Sequence, residues 1–190
     1  MTVNSPALLY KQAGVKSEIG FIWTFLSLAQ AMDILTAYIF FGCILISVLV
    51  VISWVDIRTF RILNILTLPL IVAGFIFTYF VSPESLVSSI IGAIIGYAGF
   101  ITLEYAFRYF YRKEGLGRGD AKLLAAGGAW CGWFGLPYIL LIASLCGLVF
   151  TQMPSYKDKA EGGNFNIPFG PFLSLAIAVI WFGQSYINLQ

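Results

Sequence analysis

Two aspartates are the residues in this chain whose type and placement could do chemistry. Asp56 stands in Trp54-Val55-Asp56-Ile57-Arg58-Thr59 and Asp120 in Gly117-Arg118-Gly119-Asp120-Ala121-Lys122, each at the end of a long apolar stretch. Acidic side chains beside a membrane core are costly to hold there and therefore point to function. If the two carboxylates adjoin, they cannot both ionise easily, so they share a proton and titrate as a pair. The ionised member could take a proton from water attacking a peptide carbonyl, while the protonated member hydrogen-bonds that carbonyl and later helps protonate the leaving amine. Such a mechanism needs no metal, no cofactor and no nucleophilic side chain. Gly117 and Gly119 suit it, since glycine allows unusual backbone angles and close approach by a substrate chain.

Each aspartate also has an ordinary structural reading. Asp120 directly precedes an apolar helix and could be its N-cap, with the two glycines forming the turn. Asp56 could be a solvated helix end beside Arg58 and Arg61. Other chemistries are narrower still. The chain has no histidine, which excludes His-based general bases and His-ligated metals. Cys43, Cys131 and Cys146 lie in apolar stretches without CxxC spacing and read as small buried hydrophobes.

The elements that must position these residues are membrane helices. Of 190 residues, 59% are hydrophobic and 11% charged, against about 25% charged in soluble domains. A soluble fold of this size could not hide so much apolar surface. A net charge of +2 with no long basic run gives no reason to expect a nucleic-acid partner; the natural partner is the lipid bilayer. Crossing a core of about 30 Å takes roughly 20 apolar residues. Segments 34–55, 63–81, 86–107 and 168–187 meet that length. The apolar region 121–153 is too long for one crossing, and Gly135-Leu136-Pro137 offers a turn to divide it. The expectation is an all-α, polytopic bundle of about six transmembrane helices, the fourth short and partly re-entrant.

Charge fixes the orientation. Arg58, Arg61, Arg108, Arg112, Lys113, Arg118, Lys122, Lys157 and Lys159 fall in loops on one side, and Glu84 without any cation on the other. By the positive-inside rule the first side faces the cytoplasm. Two crossings separate the aspartates, so both return to that side at similar depth. Residues 1–33 form an N-terminal segment, read as an interfacial helix or a signal-like stretch ending in Ala29-Gln30-Ala31; residues 34–190 form the membrane domain. Asp33, at the junction, is expected to be an N-cap. Gly92 and Gly96 make a GxxxG pattern expected to pack helices closely within the bundle. Glu104 and Arg108, four apart in the favourable order, are expected to pair. The aromatics around Tyr105 and Tyr109 read as an interfacial belt, and the polar stretch 154–166 as a solvated connector.

Gly117-Arg118-Gly119-Asp120-Ala121-Lys122-Leu123-Leu124-Ala125-Ala126, followed by Trp130-Cys131-Gly132-Trp133, resembles the GxGD segment of type IV prepilin peptidases. Asp56-Ile57-Arg58-Thr59-Phe60-Arg61-Ile62-Leu63-Asn64 resembles the D-x-R-T-x-x-I-P-N segment of short members of that family, with Leu63 where proline is usual. Ile167-Pro168-Phe169-Gly170-Pro171-Phe172-Leu173 is similar to the family's I-P-F-G-P segment. The three motifs come in the family's order over about residues 35–185. The resemblance implies a peptidase of the bacterial inner membrane that removes the short basic leader from prepilins or pseudopilins. It makes Asp56 and Asp120 the catalytic pair, Gly117 and Gly119 the supporting loop, and Lys122 and Asn64 candidate accessory residues. Without paired CxxC motifs, methyl transfer to the new terminus is not expected. Two competing readings remain: a presenilin-like GxGD protease, in which tyrosine rather than Val55 would precede the first aspartate, and a transporter or assembly subunit. The pilin served and the oligomeric state are not written in the sequence.

Overall fold

The computed structural model describes residues 6–111, 117–152 and 168–188, with side chains from Met32 onward except those at 33, 107, 110, 111 and 188. The described residues are helical: α1 (Pro6–Thr59), α2 (Asn64–Val81), α3 (Leu86–Tyr111), α4 (Arg118–Thr151) and α5 (Gly170–Asn188), with a 3-10 turn at Pro83–Ser85. All five helices contain a stretch long and apolar enough to cross a membrane, that of α1 being Ile34–Thr59, and the chain is a polytopic integral membrane protein. By its internal contacts it divides into an N-terminal unit, Met1–Ile39, and a main unit, Phe40–Gln190. The N-terminal unit is helical from Pro6, and α1 runs unbroken through Asp33. That residue therefore starts no helix, and the expected N-cap is not there. The connector 154–166, with Arg112, Lys113 and Ile167, lies outside the described residues.

In the main unit, α4 occupies the centre. It is two helical arms joined at Gly132, whose φ of 68° and ψ of 177° are open to glycine and strained for other residues. The arms are antiparallel. A Cβ on Gly127 would meet Ile139 Cδ1 at 3.2 Å, although twelve residues of straight helix would separate the two by about 18 Å. The chain thus reverses at Gly132 rather than at Gly135-Leu136-Pro137. Pro137 instead falls inside the second arm, five residues past the break. Gln184 Nε2 donates to the carbonyl of Cys131 at 3.1 Å, satisfying an acceptor that the break leaves open. At about 1.5 Å per residue the first arm, 118–131, reaches roughly 20 Å, short of a ~30 Å core. The short fourth segment expected from sequence is this arm.

Almost every residue of the first arm is buried, from Ala121 through Gly132, with Lys122 half-buried. A helix covered on all sides must be thin where its neighbours cross, because van der Waals packing rather than hydrophobic transfer holds helices together in lipid. The run Ala125-Ala126-Gly127-Gly128-Ala129 meets that need. A Cβ built on Gly128 would stand 2.3 Å from the Gly92 backbone, and one on Gly96 2.9 Å from the Leu124 carbonyl. The GxxxG of α3 thus packs inside the bundle, backbone against backbone. Gly128→Val is expected to cost about 3 kcal/mol or more, as severe overpacking does. Thermal unfolding in detergent measures it, and a midpoint equal to wild type would contradict the close crossing.

Away from the charged ends, aromatic residues fill the interior. Phe77 stacks on Trp130 with centroids 5.4 Å apart and planes 18° apart, and Trp181 meets Trp130 edge-on at 6.0 Å. Trp130 Nε1 donates to the Leu70 carbonyl at 2.8 Å, pinning α4 to α2. Trp130→Phe keeps the ring stack and removes this bond, so a loss of about 1 kcal/mol is expected in the same unfolding assay; no loss would mean the bond contributes nothing net. Thr78 and Ser89 hydroxyls meet at 3.2 Å between α2 and α3. Of the cysteines only Cys131 is buried; Cys43 is exposed and Cys146 intermediate, since their helices turn those positions toward the bundle's outer face.

Candidate active site

Three helix ends converge on Asp56. It lies in the last turn of α1 and is 5% exposed, which rules out the solvated helix end that its sequence neighbours suggested. The C-terminal end of a helix carries partial negative charge and disfavours a carboxylate. The compensation comes from α5, whose first residue, Gly170, donates its backbone N–H to Asp56 Oδ2 at 3.0 Å. A Cβ on Gly170 would lie 2.6 Å from that same oxygen. Glycine is therefore required there by close approach. Sequence reasoning quoted Ile167-Pro168-Phe169-Gly170-Pro171 as a motif without giving Gly170 a role; the motif was the signal.

Asp120 is the third residue of α4. Gly117, extended at φ −80° and ψ 128°, takes the N-cap position, so Asp120 is not the N-cap. Its carboxylate instead lies over Gly117, with Oδ2 3.2 Å from where a Cβ on that glycine would stand, close to the first orphan donors of the helix. The first turn of α4 also favours negative charge. Asp120 is half-buried and close enough to Asp56 for their charges to interact directly. The structure thus brings within range of each other's charge two carboxylates that sequence could only place on one side, and holds Asp56 by the Gly170 N–H.

The supporting glycines act by proximity rather than by unusual backbone angles. Among the described glycines only Gly132 has positive φ. A Cβ on Gly117 would come within 3.2 Å of Asp120 Oδ2, and one on Gly119 within 2.7 Å of Ile62 Cβ. Gly119 lets the start of α4 lie against the turn that joins α1 to α2. That turn is tight: Phe60 adopts φ 52°, donating its N–H to the Asp56 carbonyl at 2.8 Å. A bulky residue in this region costs about 1–2 kcal/mol. The two candidate accessory residues meet here as well, Lys122 Nζ donating to Asn64 Oδ1 at 2.6 Å. Glu104 reaches across from α3 to Arg118, Nε to Oε1 at 3.7 Å, an interhelical partner that the spacing to Arg108 did not anticipate. With Arg118 largely exposed, this pair adds at most about 1 kcal/mol.

Arg58, Arg61, Arg108, Arg118 and Lys122 all stand at this end of the bundle, and Glu84 at the other. Among the described residues no group of three or more His, Cys, Asp or Glu side chains could hold a metal ion.

A profile of the type IV leader peptidase family matches residues 43–152, which include both aspartates. The chain is 38% identical over 159 residues to the prepilin leader peptidase/N-methyltransferase of Aeromonas hydrophila, covering 82% of this chain and 54% of that protein. It is 41% identical over 132 residues to the protein of that name from Pectobacterium carotovorum subsp. carotovorum, covering 70% and 47%. To the one from Pseudomonas aeruginosa it is 40% identical over 123 residues, covering 64% and 42%. The chain spans about half the length of the curated relatives it matches. No solved structure matches it.

Proposed function

The chain belongs to the type IV leader peptidase family, and on that premise we propose that it is a membrane aspartic endopeptidase that removes the leader peptide from type IV prepilins or pseudopilins. The observation that carries the proposal is that the ends of α1 and α4 bring Asp56 and Asp120 within range of each other's charge at one end of the bundle. One carboxylate, ionised, takes a proton from water as its oxygen attacks the scissile carbonyl. The other, protonated, donates its proton to the carbonyl oxygen. Collapse of the tetrahedral intermediate returns a hydroxyl proton to the ionised carboxylate, restores the carbonyl and breaks the C–N bond. A carboxylic acid of the pair passes a proton to the departing amine, so the pair ends with the proton count it began with.

Burial serves this chemistry, because a site with little water makes each fixed charge and donor count for more. The Gly170 N–H orients the Asp56 carboxylate and leaves its remaining lone pairs for water and substrate. Both aspartates lie at helix ends. A transporter would hold its acidic groups near the bilayer midplane, so the position of the pair supports the peptidase reading. The cluster of cations at the same end supports an active site on the cytoplasmic face of a bacterial inner membrane. The proposal covers leader removal; methyl transfer, which those relatives' names include, is not part of it.

Co-expression with a prepilin tests it. Mass spectrometry of the pilin should show one cut, between the leader and the apolar helix, only when this protein is present. An uncut precursor across several prepilins from different systems would sink the proposal.

A further inference from the structure

We infer that Lys122 and Asn64 form a positioning clamp that sets the roll of α4 and so the distance between Asp120 and Asp56. The inference rests on the peptidase reading above. Lys122 Nζ lies 2.6 Å from Asn64 Oδ1, a short, charge-assisted hydrogen bond between the first turn of α4 and the first residue of α2. Residues two apart on a helix do not share a face. Asp120 faces Asp56, so Lys122 faces elsewhere, and it is a positioning residue rather than a member of the pair. Gly119 and Lys122, three apart, do share a face, and both meet the same short turn: Gly119 at Ile62, Lys122 at Asn64.

That turn follows the last turn of α1, which carries Asp56. It leaves α1 through Phe60 in the strained left-handed region, passes Leu63 in extended conformation with no side-chain cap on α2, and arrives at Asn64. Two contacts on one face of α4, one steric and one polar, therefore register Asp120 against the chain that follows the last turn of α1, where Asp56 lies. A carboxylate about 5 Å from a helix axis moves about 1 Å for a roll of about 10°. A displacement of that size can lower a rate by about 10²-fold. A lysine anchoring α4 at the membrane surface would instead send its ammonium to water and phosphate, with no fixed partner.

The test uses the full-length chain in membranes, with leader removal followed kinetically for Lys122→Met, Asn64→Ala, both together, and the conservative Lys122→Arg and Asn64→Asp. Each of the first two is expected to lower kcat about tenfold with KM within twofold of wild type. The double variant is expected to be no slower than either single one. Lys122→Arg and Asn64→Asp, which keep a charged donor or an acceptor oxygen, are expected to stay within threefold of wild type. Losses that multiply in the double variant, a change confined to KM, or conservative variants as slow as Lys122→Met would each overturn the clamp. If wild type itself cleaves no prepilin, the peptidase reading fails first, and the clamp is judged by unfolding midpoints in detergent. Single-variant shifts that simply add in the double variant would then overturn it; a double variant no less stable than the worse single would support it.

Discussion

Asp56→Asn and Asp120→Asn are each expected to reduce leader removal by on the order of 10³-fold, the scale on which a lost general acid or base is felt. Asparagine has nearly the shape of aspartate, and at position 56 its side-chain oxygen can still accept the N–H of Gly170. Both variants should therefore reach the membrane at wild-type abundance and unfold at similar temperatures. What they lose is the shared proton: an amide neither takes a proton from water nor gives one to an amine. In the proposed mechanism the carboxylates act as one unit, so Asp56→Asn with Asp120→Asn should be scarcely slower than either alone. The measurement is a gel-shift time course with membrane abundance determined in parallel. Near-normal cleavage by either single variant would reduce that aspartate to a structural part and remove the dyad mechanism.

Gly170→Ala is expected to lower kcat by about 10²-fold while leaving the bundle folded. The added methyl would stand 2.6 Å from Asp56 Oδ2, closer than any stable contact, so either the carboxylate turns away or the start of α5 withdraws. Both outcomes stretch the 3.0 Å bond from the Gly170 N–H and move Asp56 by a fraction of an ångström to an ångström, enough for a loss of that size. The clash sits at the first residue of α5, while the buried face that holds the helix, Leu173, Ala176, Ile177 and Trp181, lies further along. Abundance and intrinsic Trp fluorescence should therefore match wild type. Cleavage at the wild-type rate would show that Asp56 is not held by α5 during the reaction, and that its orientation comes from elsewhere.

Much of this was legible before any coordinates. Apolar run lengths announced a helical membrane protein, and among the described residues the cations from Arg58 to Lys122 stand at one end of it. The even number of crossings between Asp56 and Asp120 put both on that side, because a chain that crosses a slab twice must return. The Gly92/Gly96 spacing foretold a close helix crossing, since the thinnest stripe of a helix is where a neighbour fits. These properties are local or depend on parity, and a linear string records both.

Neighbourhood is neither local nor a matter of parity, and there the tertiary structure decided. That Asp56 and Asp120 come within range of each other's charge, that Gly170 supplies the donor for Asp56, that Glu104 meets Arg118, and that Lys122 meets Asn64 all depend on which helices lie side by side. The reversal at Gly132 shows why sequence could not choose among them. Gly135-Leu136-Pro137 carried the stronger turn signal, yet the chain turns three residues earlier. There glycine alone accepts the positive φ, and a side chain would meet Ser88 of α3 at 2.7 Å. Turn propensity is worth about 1 kcal/mol, whereas a backbone crossing that cannot tolerate a methyl group costs several when violated. In a bundle held together by packing, the contacts between small residues far apart in sequence set the geometry, and the site inherits it.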